Sequence, residues 1–234
     1  MKDLRRDLQP LSRSLERIPG HQGGRQVMLI GTDEKVDTPS VAASLAIIMS
    51  GRSQKSAWLI DLDLVHNQQY RGFEGRTFSK LGKPGRALDA SLNVRPFYQV
   101  HPQVRSQDGK VQRPPKLLAA HQVGTTQLYV TSFRAKGLRP GQKLNLTPAP
   151  DYWRQLRHVT DWAIVDAPPI EKSRAGLAVC RHMDGVVLVM QLDKTSVDEI
   201  HALRDEIEAH GGHCLGVVAT GVKADARFAD RFAI

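Results

Sequence analysis

Three aspartates stand just past apolar runs that read as β-strands. Trp58-Leu-Ile-Asp61-Leu-Asp63-Leu64 carries two carboxylates, and Trp162-Ala-Ile-Val-Asp166-Ala-Pro-Pro169 carries a third. Carboxylates at the C-terminal ends of parallel strands lie where open α/β sheets bind ligands. A fourth element belongs with them. The segment Gly31-Thr-Asp-Glu-Lys-Val-Asp-Thr-Pro-Ser40 joins a strand to the helix Val41-Ala-Ala-Ser-Leu-Ala46. A phosphate-binding loop occupies that position, using glycines for close backbone approach, a lysine for the β- and γ-phosphates and a Ser/Thr for magnesium. The location fits and the residues do not. Asp33, Glu34 and Asp37 put negative charge where a triphosphate needs donors. Lys35 is the one loop residue able to meet a phosphate as a point charge. Thr38-Pro39 reads as an ordinary helix start, an N-cap threonine with proline at the first helical position.

The elements that must position these residues follow from hydrophobic pattern. Strands are expected at Gln26–Gly31, Ala57–Asp61, Leu128–Ser132, Trp162–Asp166, Gly185–Gln191 and Leu215–Thr220. Several are continuous apolar runs, as a parallel sheet covered on both faces requires. A helix follows Ser196, which makes a capping box with Glu199. Val197, Ile200, Leu203 and Ile207 line one side of it, and His210-Gly211-Gly212 ends it. Another helix is expected around Tyr152–Val159. Residues 66–126 and Lys136–Pro150 are crowded with Gly, Pro and polar residues and read as surface excursions, with a short helix near Arg86–Leu92. The expected fold is α/β: one doubly wound domain with a mostly parallel sheet flanked by helices.

Both ends are amphipathic. Leu4, Leu8, Leu11, Leu15 and Ile18 repeat at helical spacing beside Arg5, Arg6, Arg13 and Arg17, with Pro10 dividing the stretch. Near the other end Phe228 and Phe232 accompany Lys223, Arg227 and Arg231. The chain thus divides into an interaction segment (1–25), a domain (26–222) and a basic tail (223–234).

Among 234 residues, 41% are apolar and 24% charged, and Lys+Arg exceed Asp+Glu by +9. The balance favours anionic partners without selecting one. Cys180 and Cys214 are too few for a disulfide framework or a four-ligand zinc site. The first twenty residues lack the apolar stretch of a secretion signal, and no run is long enough for a bilayer span, so a cytoplasmic location is expected. His201, His210 and His213 flank one helix without a further ligand, and Cys180 near His182 has no orienting acid. The basic stretch Arg105–Lys116 lacks interleaved aromatics for base stacking, so no nucleic acid is expected.

In order and spacing these pieces resemble the cytoplasmic bacterial tyrosine kinases (BY-kinases) within the MinD/ParA group of P-loop ATPases. The likeness runs from Val27 to Val222. It rests on the helix Val41–Ala46, on Leu59–Leu64 for the second Walker A motif and on Trp162–Pro169 for Walker B. Asp184-Gly-Val-Val-Leu-Val189, Lys194-Thr195, Leu215-Gly-Val-Val218 and Gly221-Val222 match the closing third. The resemblance implies that Asp61, Asp63 and Asp166 stand at the family's magnesium carboxylates. It also puts Thr38 at the P-loop lysine, Pro39 at the magnesium-binding Ser/Thr, and Lys35 and Asp37 at glycines, so every essential loop position is replaced. The family's C-terminal tyrosine cluster is missing as well, since Tyr70, Tyr98, Tyr129 and Tyr152 all lie further inside.

The expectation is therefore a non-catalytic, pseudokinase-like subunit, with no cofactor. By resemblance it works with an inner-membrane polysaccharide co-polymerase in making and exporting an exopolysaccharide, capsule or holdfast-type adhesin, and it reaches the membrane through that partner. The expected partner-binding residues are Leu11, Arg13, Leu15, Arg17 and Ile18; self-association is also open. Two alternatives remain: an active Mg-ATP-dependent ATPase or tyrosine kinase with an unorthodox loop, in which Asp63 and Asp166 hold the metal, and a MinD/ParA-like positioning protein on membrane or DNA.

Overall fold

The computed structural model describes residues 1–19, 23–103, 116–192 and 194–221. The expected tail 223–234 and, apart from Lys116, the basic stretch Arg105–Lys116 lie outside the described residues.

The strands form one eight-stranded sheet. In chain order they are β1 (Arg25–Gly31), β2 (Ala57–Asp61), β3 (Leu88–Asp89), β5 (Leu118–Gln122), β6 (Leu128–Phe133), β8 (Trp162–Ala167), β9 (Gly185–Gln191) and β10 (Cys214–Thr220). A separate antiparallel ribbon pairs β4 (Tyr98–His101) with β7 (Lys143–Leu146). The order across the sheet is β10-β9-β1-β8-β2-β6-β5-β3. From β10 to β6 every pairing is parallel, and β5 and β3 extend the sheet antiparallel. The doubly wound, mostly parallel α/β architecture is as the apolar runs predict, and all six predicted strands form. Strands β1 and β8 sit in the middle, and almost all their residues are buried because helices cover both faces.

On one face lie α4 (Pro150–Val159), α5 (Ala175–Val179) and α6 (Val197–Ala209). An aromatic cluster on this side stacks Phe97 on Trp153 and sets Tyr98 against Phe133, bringing the β4/β7 ribbon onto the core. The capping box of α6 forms in both directions between Ser196 and Glu199. Its predicted apolar stripe is shorter than expected: Leu203 and Ile207 are buried, whereas Val197, in the first turn, is 67% exposed.

On the other face lie α1 (Gln9–Leu15), α2 (Thr38–Ser50) and α3 (Gln68–Glu74). Every residue of α2 except Pro39 is buried. Its small and apolar side chains leave no polar face, and such a helix needs cover all round. The sheet covers one side. The N-terminal segment covers the other, running alongside α2 with the Lys2 N–H donating to Ser40 Oγ (2.7 Å) and the Leu4 N–H to Ser44 Oγ (2.9 Å). Leu8, Leu11 and Leu15 are buried in the same cluster, each worth about 1.5–3 kcal/mol when fully removed from water. Pro10 falls in the first turn of α1, where its missing N–H costs nothing.

Three expectations need correction. Among the described residues, the excursions at 66–126 are interrupted by α3, β3, β4 and β5, and Lys136–Pro150 contains β7. No helix forms at Arg86–Leu92. Instead Leu88–Asp89 pair with β5 and Pro84 bridges to Val123, because an unpaired β5 edge offers partners to whatever chain lies beside it. The helix start is one residue earlier: Thr38 is already helical, Asp37 is the N-cap, and no side-chain cap bond forms.

At the N-terminal end of the sheet Arg157 ties α4 to the start of β1. Its guanidinium pairs with Asp184 and donates to Gly24 O (3.1 Å) and His182 O (2.8 Å). The Asp184 side chain is 1% exposed and that of Arg157 is 14% exposed. Removing one partner of a buried pair leaves an uncompensated charge, so Arg157→Ala should cost about 3–5 kcal/mol. Urea unfolding should show Arg157→Ala as more damaging than Arg157→Ala combined with Asp184→Asn.

Candidate functional site

The three aspartates converge at the C-terminal ends of β2 and β8. Asp61 and Asp166 are register partners on these adjacent parallel strands, next to the end of β1 where the loop Gly31–Thr38 begins. The arrangement follows from the sequence: two apolar runs of equal phase, each ending in aspartate, bring both carboxyl groups to one rim.

Each carboxylate is occupied from within. Asp61 accepts the Asp63 N–H at Oδ1 (2.9 Å) and the Gln69 N–H at Oδ2 (3.0 Å). Asp166 Oδ2 accepts from Gln69 Nε2 (2.6 Å), whose amide also reaches Pro39 O (3.1 Å). Asp63 accepts from Lys172 Nζ (2.7 Å) and contacts His66 Nδ1 (2.7 Å). Gln69 is fully buried, and its Oε1 has no hydrogen-bond partner.

Burial decides the protonation of two of these groups and ion pairing decides the third. Desolvation pushes Asp61 up to about 6. Asp166 is driven well above the carboxylate range, first by burial and then by the charge of Asp61, with Asp63 and Asp37 adding to it. For Asp63 burial pulls upward, but Lys172 and His66 outweigh it and hold the group below its usual value. The Lys172 ammonium is correspondingly held on its proton, first by the bond to Asp63.

The loop has closed on itself. The Lys35 N–H donates to Asp33 Oδ1 (2.6 Å), the Val36 N–H to Asp33 O (3.4 Å) and the Thr38 N–H to Val36 O (2.9 Å). The Thr32 N–H is taken by Val189 O (3.0 Å). Val36 is buried and joins the core cluster on this face. A Cβ at Gly31 would lie 2.5 Å from Thr38 Oγ1 and 3.4 Å from Val36 Cβ, so the turn needs glycine there to pack this tightly. Lys35 itself is exposed. Of the predicted site residues, Asp61, Asp63 and Asp166 meet at one rim with Pro39 O bound to the same Gln69, while Thr38 packs under the loop.

Sequence reasoning missed Gln69, Lys172, His66 and Val36. His66 lies three residues after Asp63 and Lys172 six after Asp166, spacings that carry no signal until the chain folds. The partner-binding residues divide: Leu11 and Leu15 are buried in the chain's own core and Ile18 is half-buried, whereas Arg13 and Arg17 are exposed. Cys180 is buried, its thiol donating to Leu177 O (3.4 Å), and desolvation raises its pKa, the opposite of an activated nucleophile. Among the described residues no group of three or more His, Cys, Asp or Glu side chains is arranged to hold a metal ion, and no helix is long and apolar enough to cross a membrane.

No protein-family model matches the chain, and no curated protein does. Solved structures do. The kinase domain of Escherichia coli tyrosine kinase ETK superposes with a TM-score of 0.60 at 18% identity, covering 98% of this chain and 80% of that one. The kinase domain of VpsO gives a TM-score of 0.61 at 15% identity, covering 94% and 95%. Cyanothece McdA, in a complex with ATP, gives 0.50 at 12% identity, covering 85% and 71%. The chain has the P-loop ATPase fold shared by BY-kinase domains and ParA/MinD-like ATPases.

Asp166→Asn keeps the oxygen that accepts from Gln69 and removes a buried titratable group, so it should raise the thermal midpoint at about pH 7.5 by about 2–4 °C per kcal/mol gained. A raised folded-state pKa means the native protein binds more protons than the unfolded chain. Wild-type stability is therefore favoured as pH falls, and the advantage of Asp166→Asn should vanish by about pH 4, near the ordinary aspartate pKa. Calorimetry across that range checks both the sign and the window.

Proposed function

We propose that this domain is a non-catalytic relative of the BY-kinases, a pseudokinase-like subunit that works beside an inner-membrane polysaccharide co-polymerase in the export of an exopolysaccharide, capsule or surface adhesin. Fold does not fix function, so the reading has to rest on the site. The observation that carries it is the closed Gly31–Thr38 loop.

Phosphoryl transfer depends on positioning and charge stabilisation around the phosphates. Here the N–H groups of Lys35, Val36 and Thr38 are spent on Asp33 and Val36, and the Val36 side chain is buried beneath the loop. The carboxylates that would carry magnesium are satisfied by Gln69, by backbone N–H groups and by Lys172. Lys172 supplies a fixed positive charge beside Asp63, and the acids Asp33, Glu34 and Asp37 line the approach. A triphosphate would have to break several of these contacts and enter a negative field. The likeness to the ETK and VpsO kinase domains supports the setting in which the subunit is placed.

Thermal unfolding with millimolar Mg-ATP and Mg-ADP tests this directly. A ligand at tenfold its dissociation constant stabilises the native state by about 1.4 kcal/mol, a rise of about 3–6 °C for a domain of this size. The expected result is an unchanged midpoint with either nucleotide. A rise of that size would overturn the proposal and favour a working ATPase, and Asp63→Asn should then abolish the effect.

A further inference from the structure

We infer that the layer formed by the N-terminal segment and α3 is an electrostatic docking face for an anionic lipid surface. Its cations are Arg6, Arg13 and Arg17 on the N-terminal segment and Arg71, Arg76 and Lys80 on α3 and the turn that follows. All six are exposed and form no ion pair among the described residues. The two stretches are neighbours: Met1 packs on Gly72, and Thr77 Oγ1 donates to Met1 O (3.0 Å). Burial of Leu8, Leu11 and Leu15 under the segment fixes which way its arginines face, since side chains opposite the buried stripe of a helix point to water. The carboxylates in the layer do not cancel this charge. Asp3 is taken by Arg5 and Glu16 by Arg52, leaving Asp7 and Glu74 against the six.

One helix of the opposite layer has the other sign. Helix α6 presents Asp198, Glu199, Asp205 and Glu208, with Arg204 as its only Lys or Arg. A broad basic face is drawn toward an anionic plane.

The chemistry of the face selects among anions. Its residues include none of the exposed large hydrophobics among the described residues, which are Val65, Leu88, Val159 and Val197. A protein partner would be expected to bury an aromatic or aliphatic anchor, and a single-stranded nucleic acid to stack on aromatic rings. A face of scattered guanidinium and ammonium groups without such anchors matches the diffuse negative charge of a phospholipid leaflet, to which each Lys or Arg near the surface adds roughly fivefold in partitioning. Binding of this kind is independent of any co-polymerase.

The full chain should float with phosphatidylcholine vesicles containing phosphatidylglycerol and not with phosphatidylcholine alone, and added salt should release it. Reversing three charges together, Arg6→Glu with Arg13→Glu and Arg17→Glu, should lower partitioning by about a hundredfold or more. The second set, Arg71→Glu with Arg76→Glu and Lys80→Glu, should act alike, so a folding defect in one set leaves the other as the test. Arg204→Glu on α6 should leave flotation unchanged. Equal flotation with neutral vesicles would overturn the inference, as would flotation indifferent to both sets. Displacement from anionic vesicles by duplex DNA at equal phosphate concentration would overturn it in favour of nucleic acid.

Discussion

A helix built of small and apolar side chains, with no charged residue on any side, has to be covered on every side, and α2 is such a helix. Much of the structure follows from that requirement. The sheet can cover only half of it, so the N-terminal segment must lie along the other half, held by Ser40 and Ser44 and by three buried leucines. Those leucines are then unavailable to any other molecule. Of the residues expected to bind a partner, the segment offers Arg13 and Arg17 to the outside, while Leu11 and Leu15 face the chain's own core.

The same closure governs the rim where the strands end. Buried carboxyl groups are costly unless they are hydrogen-bonded or neutral, and this site uses both solutions. Gln69 reaches in from α3 and Lys172 from the loop after β8, while Asp166 is held toward its neutral form by burial beside Asp61. Its orphaned neighbour, Gln69 Oε1, lies within this group, where a protonated carboxyl could serve as donor. The site is coherent as a set of internal contacts.

Much of this was legible before folding, for identifiable reasons. β2 and β9 begin and end where their apolar runs do, and Ser196 with Glu199 announced the start of α6. The aspartates could be placed at strand ends because the strands themselves were clear. The rest depended on partners distant in the chain. β5, Leu118-Ala-Ala-His-Gln122, is rich in alanine and becomes a strand through pairing with β6. β4 and β7 find each other across some forty residues and bury only part of themselves. α3 carries Gly72 at its centre, a residue that weakens a helix and so hides it. Gln69 and Lys172 belong to the site only because tertiary packing brings them there, and no spacing rule could have singled out either.

The border strand β3 has a consequence for the life of the chain during synthesis. β3 is only two residues long, with Pro84 and Arg86 just ahead of it and Lys83 beside them. Proline cannot donate to an added strand, and basic side chains on an edge discourage one. The interior strands β1, β8 and β9 are nearly unbroken apolar runs of the type that assembles into cross-β fibres when left unpaired. At this border the sheet ends in residues that refuse a neighbour, so a crowded population of nascent chains is kept from growing the sheet from one molecule into the next there.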